Sequence, residues 1–170
     1  MRNVFLALVL GFTVACATLA PAQAPRVIPI ELSVQAFMVG GRTICTTFSI
    51  QESTGYWATA SHCAQSAATL QDEHHVVVTI AGEPALLVYQ DTTWDLAVYQ
   101  GTHVPALLLA DQASVMADRI AVIGFPFGLA RTYTHGVVGA RDVWDGSLNE
   151  TWVTWSDILD VTVAPGNSGS

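Results

Sequence analysis

The 170 residues provide enough chain for one domain or two very small ones. With 51% hydrophobic and only 12% charged residues, the chain is neither disordered nor coiled-coil. Six arginines, no lysine and 14 acidic residues give a net charge of −8, which excludes the basic patch a nucleic-acid binder needs.

The first segment reads as an address. Arg2 precedes the apolar run Val4–Leu10, and small residues continue to Ala24, the layout of a secretory signal peptide. Ala20-Pro21-Ala22 is the preferred cleavage signal, which makes residues 1–22 the signal peptide. Ala22-Gln23-Ala24 is disfavoured because Pro25 follows it. The apolar core is shorter than the roughly 20 residues of a membrane span, and no other segment is long enough. Cys16 is the alternative, a lipid-anchor site after Thr13-Val14-Ala15, with Thr13 a poor fit to that motif. Export predicts a secreted or periplasmic protein. In that oxidising setting Cys45 and Cys63 remain as a pair, either a disulfide closing a loop of about 19 residues, worth roughly 3 kcal/mol, or two free thiols.

From residue 27 onward, runs rich in Val, Ile, Thr, Tyr and Trp alternate with turn signals at intervals of roughly 8–12 residues, the pattern of an all-β sandwich or barrel. The predicted strands are Val34–Val39, Ile44–Gln51, Tyr56–Ala60, His75–Ile80, Ala85–Gln90, Leu96–Gln100, Ile120–Gly124, Thr132–Arg141 and Thr151–Ile158. Only Ala64–Leu70 and Asp111–Asp118 offer a helical turn or two. A soft boundary falls near Pro105–Asp111. Adjacent His74 and His75 on a strand would face opposite ways and so not chelate a metal together. His103 and His135 lack partners at ligand spacing. The five tryptophans are too scattered for a stacking platform and are assigned to cores, and Phe125-Pro126-Phe127-Gly128 to a turn bracing the cleft.

Three segments carry chemistry. Trp57–Cys63 runs a strand into His62, Trp94–Tyr99 places Asp95 before an apolar strand, and Ala164–Gly169 holds Ser168 between glycines. A serine becomes a nucleophile when a base takes its proton, and a carboxylate orients that base and stabilises its charged form. Gly166 lets the backbone turn so that its N–H and that of Ser168 converge on one point, an oxyanion hole. Each motif alone is weak; together, in the order His, Asp, Ser, they define acyl transfer.

These residues resemble the chymotrypsin-fold serine proteases, and within them the bacterial HtrA/Deg-type trypsin-like peptidases. Thr59-Ala60-Ser61-His62-Cys63 is similar to that family's Thr-Ala-Ala-His-Cys, and Asp95-Leu96-Ala97-Val98 to its Asp-Leu-Ala-Val. Asp160–Gly169 resembles the run ending in Pro-Gly-Asn-Ser-Gly-Gly. Ile123–Leu129 and Thr134–Ala140 resemble two further motifs of that branch. The resemblance implies an all-β double β-barrel, with residues 23–110 as the N-terminal barrel and 111–170 as part of a C-terminal one that is incomplete. It implies His62, Asp95 and Ser168 as the triad, Gly166 and Ser168 N–H as the oxyanion hole, and a Cys45–Cys63 disulfide beside the base. A protein or peptide is the implied substrate, with no metal and no cofactor; the oligomeric state is left open. Ser170 departs from the second Gly and resembles the glutamyl-endopeptidase branch instead. Thr162 stands where members preferring Arg or Lys carry Asp, which points to small or apolar side chains. The strands that follow the nucleophile in that family are missing, so the chain is expected to be a truncated piece, inactive by itself. The competing reading is a non-catalytic binding or scaffold module on the same fold.

Overall fold

A computed structural model describes residues 30–144 and 155–170. The signal peptide, the Cys16 lipid site and Trp152 lie outside the described residues. A single helical turn, Ile30–Ser33, leads into a first sheet whose strands are β1 (Val34–Val39), β2 (Arg42–Gln51), β3 (Tyr56–Ala60), β4 (Val78–Ile80), β5 (Glu83–Pro84), β6 (Leu86–Asp91) and β7 (Leu96–Gln100). Their order across the sheet is β5-β4-β1-β2-β3-β7-β6, all neighbours antiparallel. The two edge strands are consecutive in the chain, separated only by Ala85, whose N–H donates to the Val78 carbonyl at 3.0 Å. One bent segment therefore pairs with β4 at one end and β7 at the other, and the sheet curls shut into a barrel.

Turn chemistry sets the register. Val39 pairs with Arg42 across Gly40-Gly41, both at positive φ (56° and 79°), as a two-residue hairpin twisting with its strands demands. Alternating side chains then point inward. Phe37, Val39, Trp57, Val78, Ile80, Ala97 and Tyr99 are buried, with Phe37 edge-on to Tyr99 at 5.0 Å between ring centres. The Trp57 indole N–H donates to the Thr102 carbonyl at 2.9 Å, so its burial leaves no orphaned donor. Burial also pushes the Tyr99 hydroxyl up to about 12.

A second sheet contains β8 (Arg119–Gly124), β9 (Thr132–Trp144) and β10 (Trp155–Asp160) in the order β10-β9-β8. Three antiparallel strands do not close a barrel. Their concave side is an apolar hollow of about 420 Å³, lined by residues that include Val34, Phe48, Val122, Val138 and Leu159. The fold is thus all-β, of the chymotrypsin type, with an incomplete second barrel.

Several expectations need correction. The turn or two expected at Ala64–Leu70 is a 14-residue helix, α1 (Ser61–His74), which buries Cys63, Ala64 and Ala67 against the barrel core. Small side chains hid its periodicity, because Ala contributes little contrast to an apolar face. His75 does not begin a strand: it terminates α1 in a left-handed conformation (φ 53°), donating its N–H to the Gln71 carbonyl, and β4 begins only at Val78. Asp111–Asp118 is not helical. The Asp118 carboxylate accepts the Val115 N–H at 2.7 Å, and Ala117 and Asp118 pair with Val138, so the backbone groups a helix needs are taken. Trp94 is not core: it is 67% exposed in the β6–β7 turn. Trp57 is buried as expected.

Candidate active site

His62 lies in the first turn of α1 and Asp95 in the tight connection between β6 and β7. Asp91 builds that connection. Its Oδ1 accepts the N–H groups of Thr93 (2.8 Å) and Trp94 (3.1 Å), which hold its carboxyl below the usual carboxylate range. Asp95 then takes a left-handed backbone conformation (φ 47°), which Asp tolerates better than most residues. From there it serves the start of α1 twice over. Its carbonyl accepts the Ser61 N–H at 3.0 Å, and its Oδ1 accepts the His62 N–H at 2.9 Å. Two of the helix's four unpaired N-terminal donors are satisfied, and a negative charge sits at the positive end of the helix dipole. This accounts for a helix that starts without a side-chain cap of its own.

The second carboxylate oxygen reaches the imidazole: His62 Nδ1 and Asp95 Oδ2 are 2.8 Å apart. A carboxylate only accepts, so Nδ1 carries the proton and Nε2 is left as the acceptor. Both side chains remain partly exposed, His62 at 44% and Asp95 at 28%.

Ser168 comes from the far end of the chain. Pro165 and Gly166 occupy the middle of a four-residue turn closed by the Asn167 N–H on the Ala164 carbonyl at 3.0 Å. Gly166 sits at φ 98°, a value that suits glycine, and a side chain there would collide with the Phe125 carbonyl. The Phe125–Gly128 turn braces the loop, as expected: the Phe127 N–H donates to the Pro165 carbonyl at 2.5 Å. Among the described residues, neither the Gly166 nor the Ser168 N–H donates a hydrogen bond. The Ser168 carbonyl accepts the Thr46 N–H at 2.8 Å and lies 4.0 Å from Cys63 Sγ, in the residue next to His62. Gly169 packs where a side chain would strike the Thr46 carbonyl and Thr59 Oγ1.

Cys45 and Cys63 form a disulfide, Cα to Cα 6.2 Å, which pins α1 to β2 directly beneath His62. Their sulfurs and a His62 ring nitrogen lie within 4.8 Å of one another. That trio is no ligand set while the sulfurs are bonded, because only thiolates bind metal strongly.

The structure sets Asp95 against His62 and places the Ser168 carbonyl 4.0 Å from Cys63 Sγ, beside His62. It also adds Thr46 and Gln90, which motif reading missed, and gives structural roles to Thr59 and Gly169, which stood within the motifs. Thr46 and Thr59 are buried hydroxyls in the path between the two loops, Gln90 donates to the Ser61 carbonyl and Oγ (3.3 and 2.9 Å), and Gly169 permits close approach. A threonine in a strand looks like an ordinary β former, so nothing in the sequence separates Thr46 from its neighbours. Ser168 and Ser170 line, with Val122, Leu159, Val163, Ala164 and Asn167, a hollow of about 310 Å³. It shares Val122, Leu159 and Ser170 with the larger hollow, so the two adjoin along the second sheet, the larger one reaching Val34 and Phe48 of the first.

Residues 45–170 match the family of trypsin-like peptidase domains. A probable periplasmic serine endoprotease, DegP-like, from Halomonas elongata is 31% identical over 151 residues, 83% of this chain and 29% of the relative. A similarly described protein from Pseudomonas putida is 29% identical over 126 residues, 71% of this chain and 24% of the relative. The chain therefore spans under a third of the length of these relatives. Among solved structures, Deg5 superposes with a TM-score of 0.66 at 21% identity, covering 81% of this chain and 72% of that one. The HtrA-type protease AlgW, solved with a tripeptide, gives 0.60 at 26% identity, covering 81% of this chain and 46% of that one. With three-quarters of its length matched, the chain belongs to the trypsin-like peptidase domain family, a family of serine proteases.

Proposed function

We propose that this chain carries the reactive centre of an exported serine endopeptidase, acting through Ser168, His62 and Asp95. The supporting observation is the bonding of Asp95 to both the backbone N–H and Nδ1 of His62, which leaves Nε2 as the base. In the reaction, Ser168 Oγ attacks the carbonyl carbon of a peptide bond while His62 Nε2 takes its proton. The negative charge forming on the carbonyl oxygen is received by the N–H groups of Gly166 and Ser168, two donors otherwise unused among the described residues. His62 returns the proton to the departing amine, leaving an acyl group on Ser168. Water then attacks that ester with His62 again as base, releasing the acid and restoring the serine. Asp95 holds the imidazole in its tautomer and balances its charge throughout.

A protein or peptide substrate and a periplasmic or secreted location follow from the same reading. The relatives are described as periplasmic endoproteases, and the disulfide and the export pattern of residues 1–22 agree with that setting. Thr162 in place of an acid supports a preference for small or apolar side chains over basic ones.

The test uses the protein as its gene encodes it, treated with a fluorophosphonate. Stoichiometric labelling at Ser168 is expected. Ser168→Ala is expected to lose it, together with casein cleavage, by roughly 10⁴-fold or more. Cleavage that survives in Ser168→Ala refutes the mechanism, and an unlabelled wild-type protein favours a non-catalytic module.

A further inference from the structure

We propose that Thr46 is a positioning residue for the oxyanion loop, its buried hydroxyl setting the orientation of the peptides on either side of Gly166. The inference rests on the serine-hydrolase reading above.

Thr46 is fully buried on β2, immediately after the disulfide residue Cys45. Every polar group it has is engaged, its hydroxyl and N–H across the junction of the two sheets and its carbonyl within the first. Its Oγ1–H donates to the Gly166 carbonyl at 2.9 Å, and the same oxygen accepts the Phe125 N–H at 3.1 Å. Its N–H donates to the Ser168 carbonyl at 2.8 Å, and its carbonyl accepts Thr59 Oγ1–H at 2.7 Å. Thr59 is three residues before His62 on the strand that enters α1.

The main-chain bonds survive almost any substitution; the hydroxyl bonds do not. Glycine at φ 98° has wide freedom in ψ, so something outside the residue must select the plane of the Gly166–Asn167 peptide. The Thr46 hydroxyl holds that peptide by its oxygen. The neighbouring Pro165–Gly166 peptide is held by Phe127, in the same turn whose Phe125 N–H the hydroxyl also takes. One side chain therefore ties both anchors of the loop together. The Gly166 N–H belongs to the Pro165–Gly166 peptide and the Ser168 N–H to the peptide that follows Gly166–Asn167. Neither donates among the described residues, and the two must converge on a point about 3 Å from each to stabilise an oxyanion. Without the hydroxyl, a half-buried carbonyl and a half-buried N–H lose their partner, and a rotation of the Gly166 peptide is the nearest relief.

Thr46→Val keeps the shape and removes the hydroxyl, and Thr46→Ser keeps the hydroxyl and removes the methyl. Both are compared with wild type in fluorophosphonate inactivation, resolved into reversible binding and the maximal rate, and in amide exchange across residues 164–170. We expect Thr46→Val to lower the maximal rate at least 10-fold with binding changed less than 3-fold, on the order of one lost oxyanion donor. Loop amides should exchange faster, and Thr46→Ser should restore both readouts. Wild-type kinetics and exchange in Thr46→Val overturn the proposal, and so does a Thr46→Ser protein as impaired as Thr46→Val. If Thr46→Val does not fold, Thr46→Ala is judged by the same criteria. If wild type does not react, the function reading fails while amide exchange alone still decides whether the hydroxyl orders the loop.

Discussion

The two sheets share an antiparallel build and differ in what they enclose. The first curls shut through one bent segment, 83–91, and its inward residues Phe37, Trp57, Val78 and Ile80 are sealed, with a disulfide and α1 closing one end. In the second, Val138 is the one buried apolar side chain of the described strand residues, while Ile158 is 51% and Leu159 44% exposed. The candidate machinery is divided between them. His62 and Asp95 are held within the first sheet's own framework, but Ser168 is held by bonds that cross to it, chiefly through Thr46. The His62–Asp95 pair needs only one well-packed unit, whereas the Ser168 loop is anchored to that unit from outside it.

This contrast is open to direct attack. Trp57→Ala should destabilise the chain most, by about 3–5 kcal/mol in denaturant unfolding, since it opens a large void in a sealed core. Ile158→Ala, already half exposed, should change stability by less than about 0.5 kcal/mol. Equal effects would mean the second sheet is packed as tightly as the first.

Replacing both Cys45 and Cys63 by Ala should cost about 2–4 kcal/mol, read from the shift in the unfolding midpoint. Amides of β1–β3 should then lose more exchange protection than those of β8–β9. Uniform loss would show that the disulfide stabilises both sheets alike.

The smallest effect concerns Tyr99. Its hydroxyl, raised by burial from 10.0 to about 12, favours the neutral form in the folded state. The stability this contributes is complete below pH 10 and is lost as pH rises towards 12, because the unfolded chain releases that proton first. Tyrosinate absorbance should show a late-titrating component that Tyr99→Phe removes, apart from Tyr89, which its hydrogen bond to Asp91 also raises. Tyr99→Phe should also flatten the fall in stability over that interval. An unchanged alkaline limb in Tyr99→Phe would place its cause elsewhere.

Much of this arrangement was readable in advance. Val34–Val39, Tyr56–Ala60 and Leu96–Gln100 form strands within their expected limits, because alternation and turn residues agree there. Where local signals were weak, long-range bonds decided. Asp118 and Val138 captured a segment with helical character, and Asp95 started a helix whose own sequence offers no cap. The candidate site divides along the same line. His62, Asp95, Ser168 and Gly166 stood out because their residue types and order are unusual for a structural role, whereas Thr46 and Gln90 look like ordinary strand residues.

Length and composition alone excluded disorder and a basic patch, strand periodicity determined a mostly β chain, and three short motifs pointed to the candidate residues and to the family they resemble. Only the tertiary structure decided that the first sheet closes and the second does not, because closure depends on which edges meet, and pairing between distant strands leaves no local mark. Only it decided that one buried threonine joins the Ser168 loop to the strand leading to His62, because a hydroxyl's partners are set by packing across the whole chain.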